Sequence, residues 1–182
     1  MVKLLINRDD LRWKQVVGIY AGTLFLIGTY VIFVQPLRDF LDPEIYLDLR
    51  PDGYDLPAVM EFFDRLGLLG RAFYVRSTIF DTVWPLAVAV SAWLLAHKTF
   101  QRLWLALVVA ALPLGFGVLD LLENIGILSM LMLYPEIPEG LVSYSNTLTL
   151  AKLSLLNGAT ITFFALPLLS GALWLVRNRQ KT

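Results

Sequence analysis

The 182-residue chain has no cysteine, one histidine and few charged side chains, which make up 16% of it. Without cysteine there are no disulfides, no thiol redox chemistry, no cysteine nucleophiles and no cysteine-based metal sites. The single histidine, His97, stands beside Lys98 at one end of an apolar run, nearly a membrane thickness from Asp120. A Ser-His-Asp triad or a histidine metal site is therefore not expected, and neither a metal nor a cofactor is called for; a solvated interfacial histidine accounts for it. The formal net charge is zero, so the basic surface that nucleic-acid binding requires is missing too.

What is present is apolar. Hydrophobic residues form 57% of the chain and its mean hydropathy is +0.65, the composition of an integral membrane protein. About 20 apolar residues cross the ~30 Å of hydrocarbon in a bilayer. Such runs fall at about 16–34, 79–96, 103–123, with apolar character continuing to 133, and 148–176. The expected fold is all-α, a bundle of four transmembrane helices in one domain over residues 1–182, without internal repeats or low-complexity tracts. The first run follows Lys3, Arg8, Arg12 and Lys14 as in a secretory signal, but its core is long and no small-residue cleavage site follows Val34, so it reads as a retained helix.

Threading four spans puts Lys3, Arg8, Arg12, Lys14, Lys98, Arg102, Arg177, Arg179 and Lys181 on the side of both termini. The opposite side carries Arg38, Arg50, Arg65, Arg71 and Arg76 among a larger number of acids, including Asp39, Asp42, Glu44, Asp48, Asp52 and Asp55. The positive-inside rule then predicts a multi-pass protein of the inner membrane with cytoplasmic N- and C-termini and an exported loop over 35–77. In that loop Asp55-Leu56-Pro57 reads as a helix N-cap with proline in the first turn, and Val59, Phe62, Phe63 and Leu66 recur at helical spacing opposite Glu61, Asp64 and Arg65. These predict an amphipathic interfacial helix, on the membrane surface or capping the bundle, broken by Gly67 and Gly70. The stretch Asp48 to Asp55 lacks the alternating ligand spacing of a calcium loop and reads as a solvated acidic turn.

The chemistry of interest lies at membrane depth. An ionised side chain in a spanning helix costs about 2.5–3.5 kcal/mol on insertion scales, so an acid there must be paired, hydrated or functional. Asp120, Glu123 and Asn124 fall in the third span, Asp81 in the second and Lys152 in the fourth, all toward the same side of the bilayer once the spans are threaded. At 100° per residue each set shares one face: Pro113, Phe116, Gly117, Asp120, Glu123, Asn124 and Ile127; Thr78, Asp81, Pro85, Val88 and Ala92; Ser145, Thr149, Lys152, Leu156 and Ala159. Arg71 and Arg76 stand at the outer rim, and Trp84 is placed to reach either the aromatic belt or the site.

Three readings follow. The polar groups bind an amphiphilic ligand or lipid headgroup, with Lys152, Arg71 and Arg76 holding an anionic or hydroxyl-bearing part and Asp81, Asp120, Glu123 and Asn124 orienting it. Alternatively Glu123 and Asp120 act as acid and base on a lipid-soluble substrate. A third option is an accessory subunit whose ion-pair network only fixes helix register. The expected partner is a membrane lipid or lipophilic small molecule, and Gly18-x-x-x-Gly22 in the first span offers a packing face for a homo-oligomer or another membrane protein.

The order Gly70-Arg71-x-x-Tyr74, Asp81-x-x-x-Pro85, Asp120-x-x-Glu123-Asn124 and Thr149-x-x-Lys152 resembles a group of small bacterial four-helix membrane proteins of uncharacterised function. The likeness covers the last three spans. It implies the fold, treats these residues as a unit, adds Tyr74 to the candidate binding residues and supplies no activity. A second resemblance is to the emopamil-binding sterol isomerases, which set acids and an asparagine inside a helical bundle; their histidine has no counterpart here at the right depth.

Overall fold

A computed structural model describes residues 11–41 and 46–179. Lys3, Arg8, Asp42, Glu44 and Lys181, which entered the charge pattern above, lie outside the described residues. The chain runs as α1 (Trp13–Thr29), a π-helical turn (Tyr30–Val34), α2 (Gln35–Leu41), a 3-10 turn (Leu47–Leu49), α3 (Leu56–Thr99), α4 (Leu103–Leu133) and α5 (Glu139–Arg179). Among the described residues four helical stretches are long and apolar enough to cross a membrane: Trp13–Asp39, Leu56–Thr99, Leu103–Leu133 and Glu139–Arg177. Helices satisfy their own backbone groups, which a segment in hydrocarbon must do. The all-α four-helix architecture is thus as expected, and no strand occurs among the described residues.

The first helix does not stop where its apolar run stops. It continues through Gln35 and Pro36 to Leu41, so much of what reads as loop from residue 35 is helix. Pro36 cannot donate a backbone hydrogen bond and crowds the preceding turn, and the wider π turn just before it relieves that conflict. That turn leaves Val31, Ile32 and Phe33 facing outward and Tyr30 facing inward.

α3 is two helices joined at a kink. Gly67, at φ 60°, occupies backbone space that side-chain-bearing residues rarely adopt, and it separates 56–66 from the spanning part. The first part starts as the sequence predicts, with the Asp55 carboxylate accepting from the Ala58 amide at 3.0 Å and Pro57 in the first turn. Val59, Phe62 and Phe63 are wholly buried, packed with Tyr46, Tyr54, Tyr74, Ile127 and Met130. Between the two expected placements, this helix caps the bundle. Gly70, unlike Gly67, stays helical.

The three polar stripes are turned inward: the seven predicted residues of α4 and the five of α3 are all buried, as are Ser145, Thr149, Lys152 and Ala159 of α5. Two glycines set how closely these helices approach. A Cβ on Gly117 would lie 2.8 Å from Ala89 Cβ and 3.0 Å from the Pro85 carbonyl oxygen, and one on Gly126 would lie 2.1 Å from Ser145 Oγ. Close backbones bring short carboxylate side chains within reach of neighbouring helices. α5 begins at Glu139, earlier than the apolar run suggests, because Glu139 to Thr147 adds turns that pack beneath the cap.

α1 leans mainly on α3. It meets α5 where Tyr20 stacks on Phe163, with ring centroids 4.4 Å apart, and donates its hydroxyl to the Phe163 carbonyl. Gly18 and Gly22 face outward, with open space where a Cβ would stand.

Candidate functional site

Lys152 comes from α5 and lies 4% exposed between two acids of α4. Its ammonium is 3.3 Å from Asp120 Oδ1 and in direct contact with Glu123 Oε2. Glu123 Oε1 accepts from the Thr149 hydroxyl at 2.5 Å. Since that spends the Thr149 proton, Tyr54 is the donor in its own 3.2 Å contact with Thr149 Oγ1. Asn124 Nδ2 donates to Asp120 Oδ2 at 2.9 Å and to Thr82 Oγ1 at 3.0 Å, tying α4 to α3. The loop is fastened to the same place: the Tyr54 amide donates to Asn146 Oδ1 at 3.0 Å, and Gly53, at φ +75°, leaves room for it, since a Cβ there would be 2.4 Å from that oxygen.

A second charged centre was not foreseen. Arg38, 1% exposed, donates through Nη2 to Asp48 Oδ1 at 2.6 Å and through Nη1 to the Tyr30 hydroxyl at 2.5 Å. The Tyr74 hydroxyl reaches the same Asp48 oxygen at 3.2 Å, and the guanidinium lies 4.2 Å from the centroid of the Tyr46 ring. The solvated acidic turn is therefore corrected at its first residue, because Asp48 is buried. Burial alone would push its carboxyl up, but Arg38, with Lys152 adding from farther away, outweighs burial and holds it below the usual carboxylate range.

A cavity of about 160 Å³ separates the two centres. Asp48, Asp81, Asp120 and Lys152 edge it, with Tyr30 and Trp84 beside them; Phe116, Leu153 and Leu156 also line it, and most of its surface is apolar. An engineered apolar cavity near 150 Å³ holds a benzene molecule, so the volume suits a small headgroup or several waters. Asp81 is the odd member. It accepts from the Trp84 indole at 2.8 Å, yet no cation among the described residues lies within ion-pair distance of it. A second apolar cavity, of about 180 Å³, adjoins it between Ile27 of α1, Val88 of α3 and Ala159 and Phe163 of α5. Trp84 and Phe116, with ring centroids 5.8 Å apart, line both.

The structure thus brings Asp81, Asp120 and Lys152 to one cavity and sets Glu123 and Asn124 behind its wall. Tyr74 belongs to the Arg38 centre. Arg71 is elsewhere, with its guanidinium donating to the Phe63 carbonyl at 2.7 Å and lying 4.6 Å from the Tyr134 ring centroid, and Arg76 is exposed. His97 stacks on Trp93, half-buried at the far end of α3. No group of three or more histidine or acidic side chains among the described residues is arranged to hold a metal ion.

Arg38 and Tyr30 carried a usable signal. Eight residues at 100° leave a side chain roughly 80° off the face of the first, and the extra residue in the π turn removes most of that offset. Continuing the first helix past Val34 brings the arginine toward the side of the tyrosine, and the π turn completes the alignment.

By fold, this is a membrane protein of the four-span all-α class. No family model, curated protein or solved structure matches the chain. The chemistry of its site is therefore argued from the residues themselves.

Proposed function

We propose that this protein binds an amphiphilic small molecule or lipid, with the polar end among Asp48, Asp81, Asp120 and Lys152 and the chain in the apolar cavity between α1 and α5. The observation that carries this reading is the shared wall: Trp84 and Phe116 line two adjoining, largely apolar cavities, and the charged residues Asp48, Asp81, Asp120 and Lys152 edge one of them. The apolar side is rimmed by exposed Phe164 and Thr160, which gives a chain a way in from the bilayer. The positive-inside rule supports placing this site toward the outer leaflet of an inner membrane, with both termini cytoplasmic. Acid–base catalysis has less support, since Glu123 is held by Lys152 and Thr149 behind the cavity wall.

The test is native mass spectrometry of protein released from membranes in mild detergent. Unmodified protein should carry an amphiphile adduct that Leu156→Trp, which fills the cavity beside Lys152, removes. Absence of an adduct, or adducts unchanged by the substitution, would contradict the proposal.

An accessory role is the second reading, favoured by the outward face of α1, where Gly18 and Gly22 leave room for the close approach of another helix.

A further inference from the structure

We infer that the polar end of the ligand is cationic, an ammonium carried on a single apolar chain; this rests on the amphiphile-binding reading above. Among the described residues the buried acids outnumber the buried cations: Arg38 and Lys152 stand against Asp48, Asp81, Asp120 and Glu123. Arg38 is engaged by Asp48, and Lys152 by Asp120 and Glu123. No cation among the described residues lies within ion-pair distance of Asp81, which lines the cavity beside Asp48 and Asp120.

An anionic headgroup would enter a space whose carboxylates outnumber its one lining cation, at a depth where like charges are poorly screened. An ammonium meets the opposite situation. It would give Asp81, which already accepts from the Trp84 indole, a cation, and would lie among Trp84, Phe116 and Tyr30, aromatic rings that attract cations. A bare metal ion fits less well, because the described carboxylates do not converge into a ligand set. The adjoining apolar cavity is where the rest of the molecule would lie.

The experiment compares three probes of one chain length, dodecyltrimethylammonium, 1-dodecanol and dodecanoate, by isothermal titration of the purified protein in nonionic detergent, with Leu156→Trp as the filled-cavity control. The ammonium should bind at least about tenfold more tightly than the alcohol, the size of one contact to a charged group, with dodecanoate weakest. Asp81→Asn should reduce that preference about tenfold. If Asp81→Asn fails to fold, the ranking of probes on unmodified protein still decides the matter. Displacement of the ammonium by added phosphatidylethanolamine would identify its source as a membrane lipid, and lack of displacement a free amine; either agrees with the inference. Equal binding of alcohol and ammonium, or tightest binding of dodecanoate, overturns the cationic headgroup and leaves amphiphile binding standing. No binding of any probe beyond that of Leu156→Trp overturns both.

Discussion

Arg38 Nη2 lies 2.6 Å from Asp48 Oδ1 inside the bundle, so the end of the first span and the segment that follows it form an ion pair within the protein. Tyr30, Tyr46 and Tyr74 enclose the pair, and Asp48 also faces the cavity shared with Lys152.

Removing either member strands a buried charge. Asp48→Asn and Arg38→Met should each lower the unfolding free energy in detergent by about 3–5 kcal/mol, and the double variant should lose much less than the sum. Additive losses would mean the pair is not formed.

The same pair fixes a pH dependence. Asp48 is depressed in the folded protein, so its contribution is present in full above the unfolded carboxylate value and disappears as pH falls through the lower folded one. The stability difference between unmodified protein and Asp48→Asn should be constant above about pH 5 and close below about pH 4. A gap that closes on going alkaline would contradict the assignment.

Lys152 touches two acids with different support. Asp120 also receives Asn124, whereas Glu123 is wholly buried with Thr149 as its other donor. Lys152→Met should cost about 3–5 kcal/mol, measured by chemical unfolding. Adding Glu123→Gln should recover more of it than adding Asp120→Asn. Equal recovery, or none, would show that Glu123 is not the principal partner.

At Gly117, α4 packs tightly against α3. Gly117→Ala should destabilise by about 1–3 kcal/mol, because its new methyl meets Ala89 Cβ and a backbone carbonyl that cannot rotate away. Ala89→Gly in the same chain should restore part of the loss in a thermal melt, and no restoration would place the strain elsewhere.

The sequence made one half of the site legible. Asp120, Glu123, Asn124, Asp81 and Lys152 stand out because each interrupts an apolar run, where a charge is costly, and because helical phase aligns them. Arg38 and Asp48 lie in polar sequence, where charge raises no alarm, and their burial depends on contacts distant in the chain: Tyr74 of α3 and the aromatic cap around Phe62. The cap's helix was readable from its own periodicity and its Asp55 start. Its docking was not, since periodicity identifies an apolar face without saying what covers it.

The most direct test of amphiphile binding is photolabelling with two single-chain probes, an amine and an alcohol, each carrying a diazirine midway along the chain, followed by peptide mapping. The account predicts adducts concentrated on Val88, Ala159 and Phe163, which line the apolar cavity, and their loss in Leu156→Trp. Labels spread over lipid-facing residues such as Val108 and Leu168, and unchanged by the substitution, would contradict it.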